Sequence, residues 1–285
     1  MPRMLTLWLD YGARVTEFSK SHKNGAPSDQ TKLQEINKLI QSYTQKLPSY
    51  EFLATFSQLV SRICHENESV RQCLNKIIIK TMNEYPQQAL WQMVAVSNSD
   101  KQERSEKCDY ILKKLEKKSL AGIFKNLVKY LLAICHKEVA NGQNLSIECN
   151  FQGLGKLAPM DVILPLQTSL TVTLPMPSQP VESHDKSFPE NLPKIHGFRD
   201  EIEVLASLQK PRKITIMGND SKDYLFLLKP RDDLRKDCRM MELNSVLNKL
   251  FKKDPEGRMR RLRFFSSFLF LFFSFFLLFI SLFFI

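Results

Sequence analysis

The hydrophobic period of this chain changes once, near residue 141, and that change limits what it can fold into. Upstream, the segments "LTLWLDYGARVTEF", "TKLQEINKLIQSYTQKL", "YEFLATFSQLVSRICH", "SVRQCLNKIIIKTMNEY", "QQALWQMVAVS", "RSEKCDYILKKLEKK" and "IFKNLVKYLLAIC" all place apolar residues near i, i+3, i+4 and i+7. That spacing collects them on one face of a helix, which must then be buried against another element. The breaks carry turn chemistry: "NGAPSD" separates the first two segments, with Ser28 or Asp29 as the expected cap. Pro48 and Pro86 stand at helix starts, where a missing N–H costs nothing. Helix pairs recurring every roughly 35–45 residues are on the scale of an α-solenoid. No consensus links one pair to the next, so the expectation over 1–140 concerns architecture alone.

Over 141–195 the chain reads as an irregular linker with extended segments. "NGQNLSIECNFQGLGKLAPMD" is turn-rich, "VILPLQTSLTVTLPMP" is strand-like or extended with repeated prolines, and "SQPVESHDKSFPENLP" is a polar loop. From 196 to 263 strands return. In "KITIMGNDSKDYLFLLKP", β-branched and aromatic runs flank Gly218, Asn219 and Asp220, a hairpin signal with a loop slightly longer than the minimum. After Pro230, "DDLRKDCRMMELNSVLNKLFKK" reads as a helix with Asp232 near its start and Lys249, Lys252 and Lys253 at its end, an order that suits the helix dipole. The expected fold class is mainly α: α-solenoid-like helical repeats, then a small α+β unit, then an apolar C-terminal segment.

An apolar content of 43% and a charged content of 25% belong to a globular chain and exclude a disordered one. The formal charge of +11 fits either lysine-rich solvated helix faces or an acidic partner such as a nucleotide, nucleic acid or anionic lipid. None of the six cysteines forms a C-x-x-C, and "MPRMLTLWLDYG" is no signal peptide, so the thiols are expected reduced and mostly buried in a cytosolic or nuclear protein. The neighbours Cys64-His65 and Cys135-His136 lack zinc spacing and read as core packing. The sequons at Asn67, Asn144 and Asn219 carry little weight without a secretion signal. No RRM, KH, helix-turn-helix or finger pattern accompanies the basic runs "KPRK" and "KKDPEGRMRRLR", so no direct nucleic-acid site is identified.

One constellation has a chemical reading. A hairpin ends on Lys229, an acid-rich turn follows, and the next helix carries Asp237. A lysine facing acids at the start of a helix can hold a polyphosphate as a point charge. The upstream turn "ASLQKPRK" can place backbone N–H groups and Ser207 over the same phosphates. On chemistry alone a solvated strand-edge lysine fits better, because such lysines are common.

These same residues resemble a specific family. "LASLQKPRKITIMGNDSKDYLFLLKPRDDLRKDCRMMELNSVLNKL", with K-x-x-x-D-L-R-x-D about 20 residues after Q-K-P-R-K, resembles the start of the kinase domain of the phosphatidylinositol-3-kinase-related protein kinases. "MPRMLTLWLDYG", "YEFLATFSQLVSRICH", "YPQQALWQM" and "ILPLQTSLTVTLP" are similar to the end of the helical FAT region that precedes it. Within the family the resemblance is strongest to the ATR-type checkpoint kinases of DNA damage and replication stress, and it covers roughly residues 1–262.

The resemblance implies a FAT-like region over 1–140 and a partial PI3K/PI4K-like kinase N-lobe over 196–263. It implies that the loop "SLQKPRK" closes over the phosphates of ATP without the glycines of ordinary protein kinases, with Ser207 and Gln209 at its contact positions. Lys229 then matches the lysine that reaches the phosphates, and Asp232 and Asp237 match acids that orient it or line the site. The plainer readings are turn chemistry for Ser207 and Gln209, an N-cap for Asp232, a solvated helix face for Asp237, and a turn residue for Gly218. ATP and Mg²⁺ are the implied ligands, protein serine and threonine the substrates, an ATR-interacting regulatory protein the partner, and the nucleus the location.

Phosphoryl transfer also needs a group that orients the attacking hydroxyl and ligands for the metal. The chain contains no D-R-H-x-x-N, D-F-G or D-F-N. It is therefore expected to be inactive alone and to bind nucleotide weakly at best. Residues 264–285 contain only Phe, Leu, Ile and Ser. As a helix they would rise about 33 Å, enough to cross a membrane behind a basic flank. The lack of Trp, Tyr and Gly, and the pyrimidine-rich codons of those four residues, favour translated non-coding sequence instead, prone to membrane association or aggregation. A helical scaffold acting as a dominant-negative interaction module and a tail-anchored membrane protein are the rival functions.

Overall fold

The computed structural model describes residues 1–21, 27–99, 101–140, 142–172, 187–230 and 234–263. Its helices in chain order are α1 (Pro2–Ser21), α2 (Pro27–Lys46), α3 (Ser49–Leu53), α4 (Phe56–Ser61), α5 (Glu68–Glu84), α6 (Pro86–Ser97), α7 (Gln102–Lys113) and α8 (Lys118–His136). Then follow α9 (Ile147–Asn150), α10 (Gln152–Gly155), α11 (Gln167–Leu170), α12 (Leu234–Lys253) and α13 (Pro255–Met259). The strands are β1 (Leu145–Ser146), β2 (Ile195–Phe198), β3 (Glu201–Val204), β4 (Arg212–Gly218) and β5 (Asp223–Leu228). Two compact units emerge: residues 1–128 with 161–192, and 129–160 with the described residues from 193 onward.

The first unit is a stack of helices. Helix α1 buries Leu5, Trp8, Leu9, Gly12 and Val15, one stripe at helical spacing. Gly12 permits a close approach: a Cβ there would lie 2.7 Å from Val70 Cγ2. Helix α5 buries Val70, Cys73, Leu74, Ile77, Ile78, Thr81 and Met82 beneath it. Asn67 caps α5 by accepting from the N–H groups of Ser69 and Val70. His65 is buried, and its Nδ1 accepts the Asn67 N–H at 3.0 Å. The ring proton therefore sits on Nε2 and is donated to Leu9 O at 2.8 Å. A hydrogen-bonded chain runs from Trp8 Nε1 to Asn37 Oδ1 (2.8 Å) and from Asn37 Nδ2 to Ser69 Oγ (3.0 Å).

Two local expectations change. Helix α2 begins at Pro27, so Ser28 and Asp29 lie in its first turn rather than capping it. "YEFLATFSQLVSRICH" is two short helices, α3 and α4, parted at Ala54–Thr55, where the Thr55 hydroxyl bonds back to Phe52 O. The segment "VILPLQTSL", expected strand-like and extended, forms a buried extended run over 162–164 and then the helical turn α11. Side chains replace a ladder there. Gln87 of α6 donates to Asp161 O (2.7 Å) and accepts from the Ile163 N–H (3.1 Å), while Trp91 Nε1 donates to Ile163 O (3.1 Å). With those backbone groups satisfied, β-like composition needs no sheet partner.

The second unit holds an antiparallel sheet in which β4 is central. Strands β2 and β3 lie successively along one side of β4, separated by Arg199 and Asp200, and β5 lies along the other. Arg212, Ile214 and Ile216 of β4 and Phe226 and Leu228 of β5 are buried, in alternation along the strands. The hairpin anticipated around Gly218–Asp220 is present, with its loop over 219–222. Ser146 caps α9 by accepting the Cys149 N–H (3.0 Å), and the Asp200 carboxylate supports that cap by accepting from the Glu148 N–H (2.7 Å) and Ser146 Oγ (2.8 Å). Those bonds to Asp200, led by the Glu148 N–H, hold its acid below the usual carboxylate range.

Cys73, Cys108 and Cys135 are buried, Cys64 is partly so, and Cys149 is exposed. Burial pushes the Cys73 and Cys135 thiols up to about 11 and Cys108 to about 12, so they stay protonated and inert. No described helix is long and apolar enough to cross a membrane. Residues 264–285, on which the transmembrane reading rests, lie outside the described residues.

Candidate nucleotide site

Register decides which distant residues meet. Val204 of β3 pairs with Arg212 of β4, and Arg212 pairs with Leu228 of β5. One cross-strand row thus ends the sheet, with the loop 205–211 leaving on one side and Lys229 following on the other. Two strand spacings separate the Leu205 and Lys229 backbones, about 10 Å. Ser207, Gln209 and Lys229 accordingly share one end of the sheet. Asp232 lies outside the described residues, and Asp237 falls within α12 with its side chain outside them.

The loop is a closed turn. The Leu205 N–H bonds Pro211 O at 2.9 Å, the Ser207 N–H bonds Leu205 O at 3.0 Å, and the Lys210 N–H bonds Ser207 O at 3.0 Å. Ser207 and Gln209 are exposed, while Lys229 is half-buried. Leu208 points its whole side chain to solvent at 105% relative exposure, so core packing does not shape the loop tip.

What shapes the loop base was not anticipated from the sequence. Lys210 holds φ +42°, a left-handed conformation that costs a non-glycine residue about 1–2 kcal/mol. Its Nζ donates to Val139 O at 3.0 Å. Arg212 is buried, and its guanidinium donates to Lys210 O and, at 2.7 Å, to Lys137 O. Burial pulls the Arg212 pKa down, and Cys135 opposes this. Lys137 and Val139 immediately follow α8, whose C-terminal carbonyls carry partial negative charge. The sequence did hold a signal: alternation in "RKITIMG" puts Arg212 on the face of Ile214 and Ile216, an inward-pointing arginine.

The turn uses the Leu205, Ser207 and Lys210 amides and Pro211 has none, so the N–H groups of Ala206, Leu208 and Gln209, with the Ser207 hydroxyl and the Gln209 amide, are what this exposed loop can turn toward a polyphosphate opposite a lysine. Among the described residues no group of three or more His, Cys, Asp or Glu could hold a metal ion.

A family model for the HEAT repeats of ATR-like serine/threonine-protein kinases matches residues 35–135. The serine/threonine-protein kinase ATR of Arabidopsis thaliana is 37% identical over 274 residues, which cover 92% of this chain and 10% of that protein. The protein kinase rad3 of Schizosaccharomyces pombe is 35% identical over 280 residues, covering 92% of this chain and 12% of its own length. The chain belongs to the phosphatidylinositol-3-kinase-related protein kinases, as an ATR-like member. It spans about a tenth of the length of the curated relatives it matches. The solved FAT and kinase domain of CtTel1 shares the fold, with a TM-score of 0.64 at 20% identity over 85% of this chain and 18% of that one. The mostly helical part is thus the HEAT/FAT region of such a kinase, and the small sheet a partial N-lobe.

Proposed function

We propose that residues 205–211 and Lys229 form the phosphate end of an ATP site in an ATR-type serine/threonine protein kinase of the nuclear DNA-damage checkpoint. The supporting observation is the row Val204–Arg212–Leu228, which brings the loop and Lys229 to one end of the sheet although 22 positions separate Ser207 from Lys229. In this reading the Ser207 and Gln209 side chains and the amides of Ala206, Leu208 and Gln209 face the phosphates, the Lys229 ammonium neutralises them, and Asp232 and Asp237 orient that lysine. These 285 residues carry none of the motifs that would orient an attacking hydroxyl, so the chain alone transfers no phosphoryl group to protein.

The decisive experiment uses an acyl-phosphate derivative of ATP, whose acyl group moves to a lysine amine beside the phosphates as ATP departs. On the purified chain, Lys229 is expected to be acylated in preference to the exposed Lys222, and millimolar ATP to suppress the labelling. Equal labelling of both lysines, or labelling indifferent to ATP, overturns the reading. A phosphorylation assay with protein substrate completes it: activity that disappears in Lys229→Met would contradict the proposed inactivity.

A further inference from the structure

We infer that Lys210 and Arg212 are positioning residues that fasten the 205–211 loop to the C-terminal end of α8. The inference rests on the nucleotide reading for its purpose but on separate contacts for its geometry. Lys210 and Arg212 reach the same short stretch of backbone: Lys210 Nζ takes Val139 O (3.0 Å), and Arg212 Nη2 takes Lys137 O (2.7 Å). The second arm of the Arg212 guanidinium takes Lys210 O, tying the loop's last turn to the same cation. Arg212 therefore bridges two chain segments 75 residues apart in sequence.

Three features separate this from ordinary surface pairing. First, Arg212 is 5% exposed, and burying a guanidinium is costly unless its geometry is used. Second, Lys210 is held left-handed directly before Pro211, a position already restricted by the proline ring. Backbone strain of that kind persists only where the surroundings over-determine it. Third, both cations meet backbone carbonyls of one short segment, one and three positions past the last residue of α8. Among the described residues, the loop tip beyond them is held by the turn's own backbone bonds. The end of α8 thereby sets where Ser207 and Gln209 stand relative to Lys229. Any displacement of residues 137–139, just after α8, reaches the 205–211 loop through two side chains.

The test is residue-resolved amide exchange on the full chain, with Lys210→Met, Arg212→Lys and Arg212→Met. Arg212→Met is expected to speed exchange of the Leu205 and Ser207 amides at least tenfold while leaving the Ile214 and Phe226 amides unchanged. Arg212→Lys, which keeps one of the two carbonyl bonds, falls between parent and Arg212→Met. Lys210→Met produces the same local loosening and serves if Arg212→Met does not fold. The ATP concentration that half-suppresses acylation of Lys229 is expected to rise at least threefold in Arg212→Met, with partial rescue in Arg212→Lys. Unchanged loop exchange in Lys210→Met and Arg212→Lys overturns the inference, as does loosening spread evenly through β4 and β5. If Lys229 is not labelled in the parent chain but the loop loosens selectively, the nucleotide reading fails and the fastening to α8 stands.

Discussion

Replacing Gln87 by methionine tests how the first unit holds an extended segment without a sheet. The substitution keeps length and apolar stem but removes both amide bonds, to Asp161 O and from the Ile163 N–H. The two losses are unequal. The bond to Asp161 O is exposed, so water replaces it at little cost. Ile163 is only 3% exposed, and its N–H has no such recourse. An unsatisfied buried donor costs about 1–3 kcal/mol, so the variant should lose about 1.5–3 kcal/mol, nearly all from one N–H. Trp91→Phe removes the donor to Ile163 O at the other side of the same residue and also thins the T-shaped contact with Phe124, centroids 5.1 Å apart. Because both side chains hold one residue, the double variant should lose less than the sum, with a coupling of about 0.5–2 kcal/mol. Urea unfolding followed by far-ultraviolet circular dichroism reads all three. A loss under about 0.5 kcal/mol in Gln87→Met, or strict additivity, would refute the claim that these two side chains substitute for a β ladder.

Other outcomes follow from single contacts. Phe226→Ala, at a fully buried position facing Ile214, should cost about 3–5 kcal/mol in the same denaturation assay. Asn67→Ala removes the α5 cap and should cost about 0.5–2 kcal/mol, with faster exchange of the Ser69 and Val70 amides. At the hairpin tip, burial and then the bond to Asp220 push the Tyr224 hydroxyl up to about 12. A raised folded value means that stability is intact below about pH 10 and falls as pH rises toward 12. Ultraviolet titration should show a late tyrosine that disappears in Tyr224→Phe, and the same substitution should abolish that alkaline loss. On α12, Met240, Leu243, Val246 and Leu250 form an exposed apolar row, each 52–54% accessible. Leu243→Glu with Val246→Lys should reduce binding of an apolar dye without lowering helical signal.

Helices were legible wherever one apolar stripe met a neighbour, as in α1 with Leu5, Trp8, Leu9 and Val15. The hairpin was legible because Gly218, Asn219 and Asp220 interrupt two apolar runs. The 162–164 segment was legible as extended, but not what holds it, because its hydrogen-bond partners, Gln87 and Trp91, lie more than 70 positions upstream. No local pattern carries that information. The α3–α4 break was hidden for a different reason: both halves bury apolar residues, so the stripe continues through a change of axis. At the site, Ser207, Gln209 and Lys229 were found through family resemblance, and only the strand register shows that they share an edge. Arg212 was visible in strand alternation but was counted as part of a basic run.

That register is not set at the site. Strand β5 is apolar on both faces, with Leu225 and Leu227 half-buried on one and Phe226 and Leu228 buried on the other. A one-residue slip would exchange the two faces, and apolar composition alone would resist it weakly. The far end of the hairpin supplies what composition lacks. The Gly218 N–H takes Lys222 O at 2.8 Å, the Ser221 N–H takes Gly218 O at 3.1 Å, and Tyr224 locks onto Asp220 at 2.7 Å. Glycine suits that position: a Cβ on residue 218 would stand 2.4 Å from Asp220 Oδ1 and 2.8 Å from the Tyr224 ring, so the Asp220–Tyr224 pair would have to move. A slip breaks all of these contacts together, so the tip fixes which residue of β5 faces Arg212. Lys229 follows Leu228 in that row, and its place beside the loop is therefore dictated by a turn at the opposite end of the hairpin. Substitution at Gly218 should displace Lys229 without touching it.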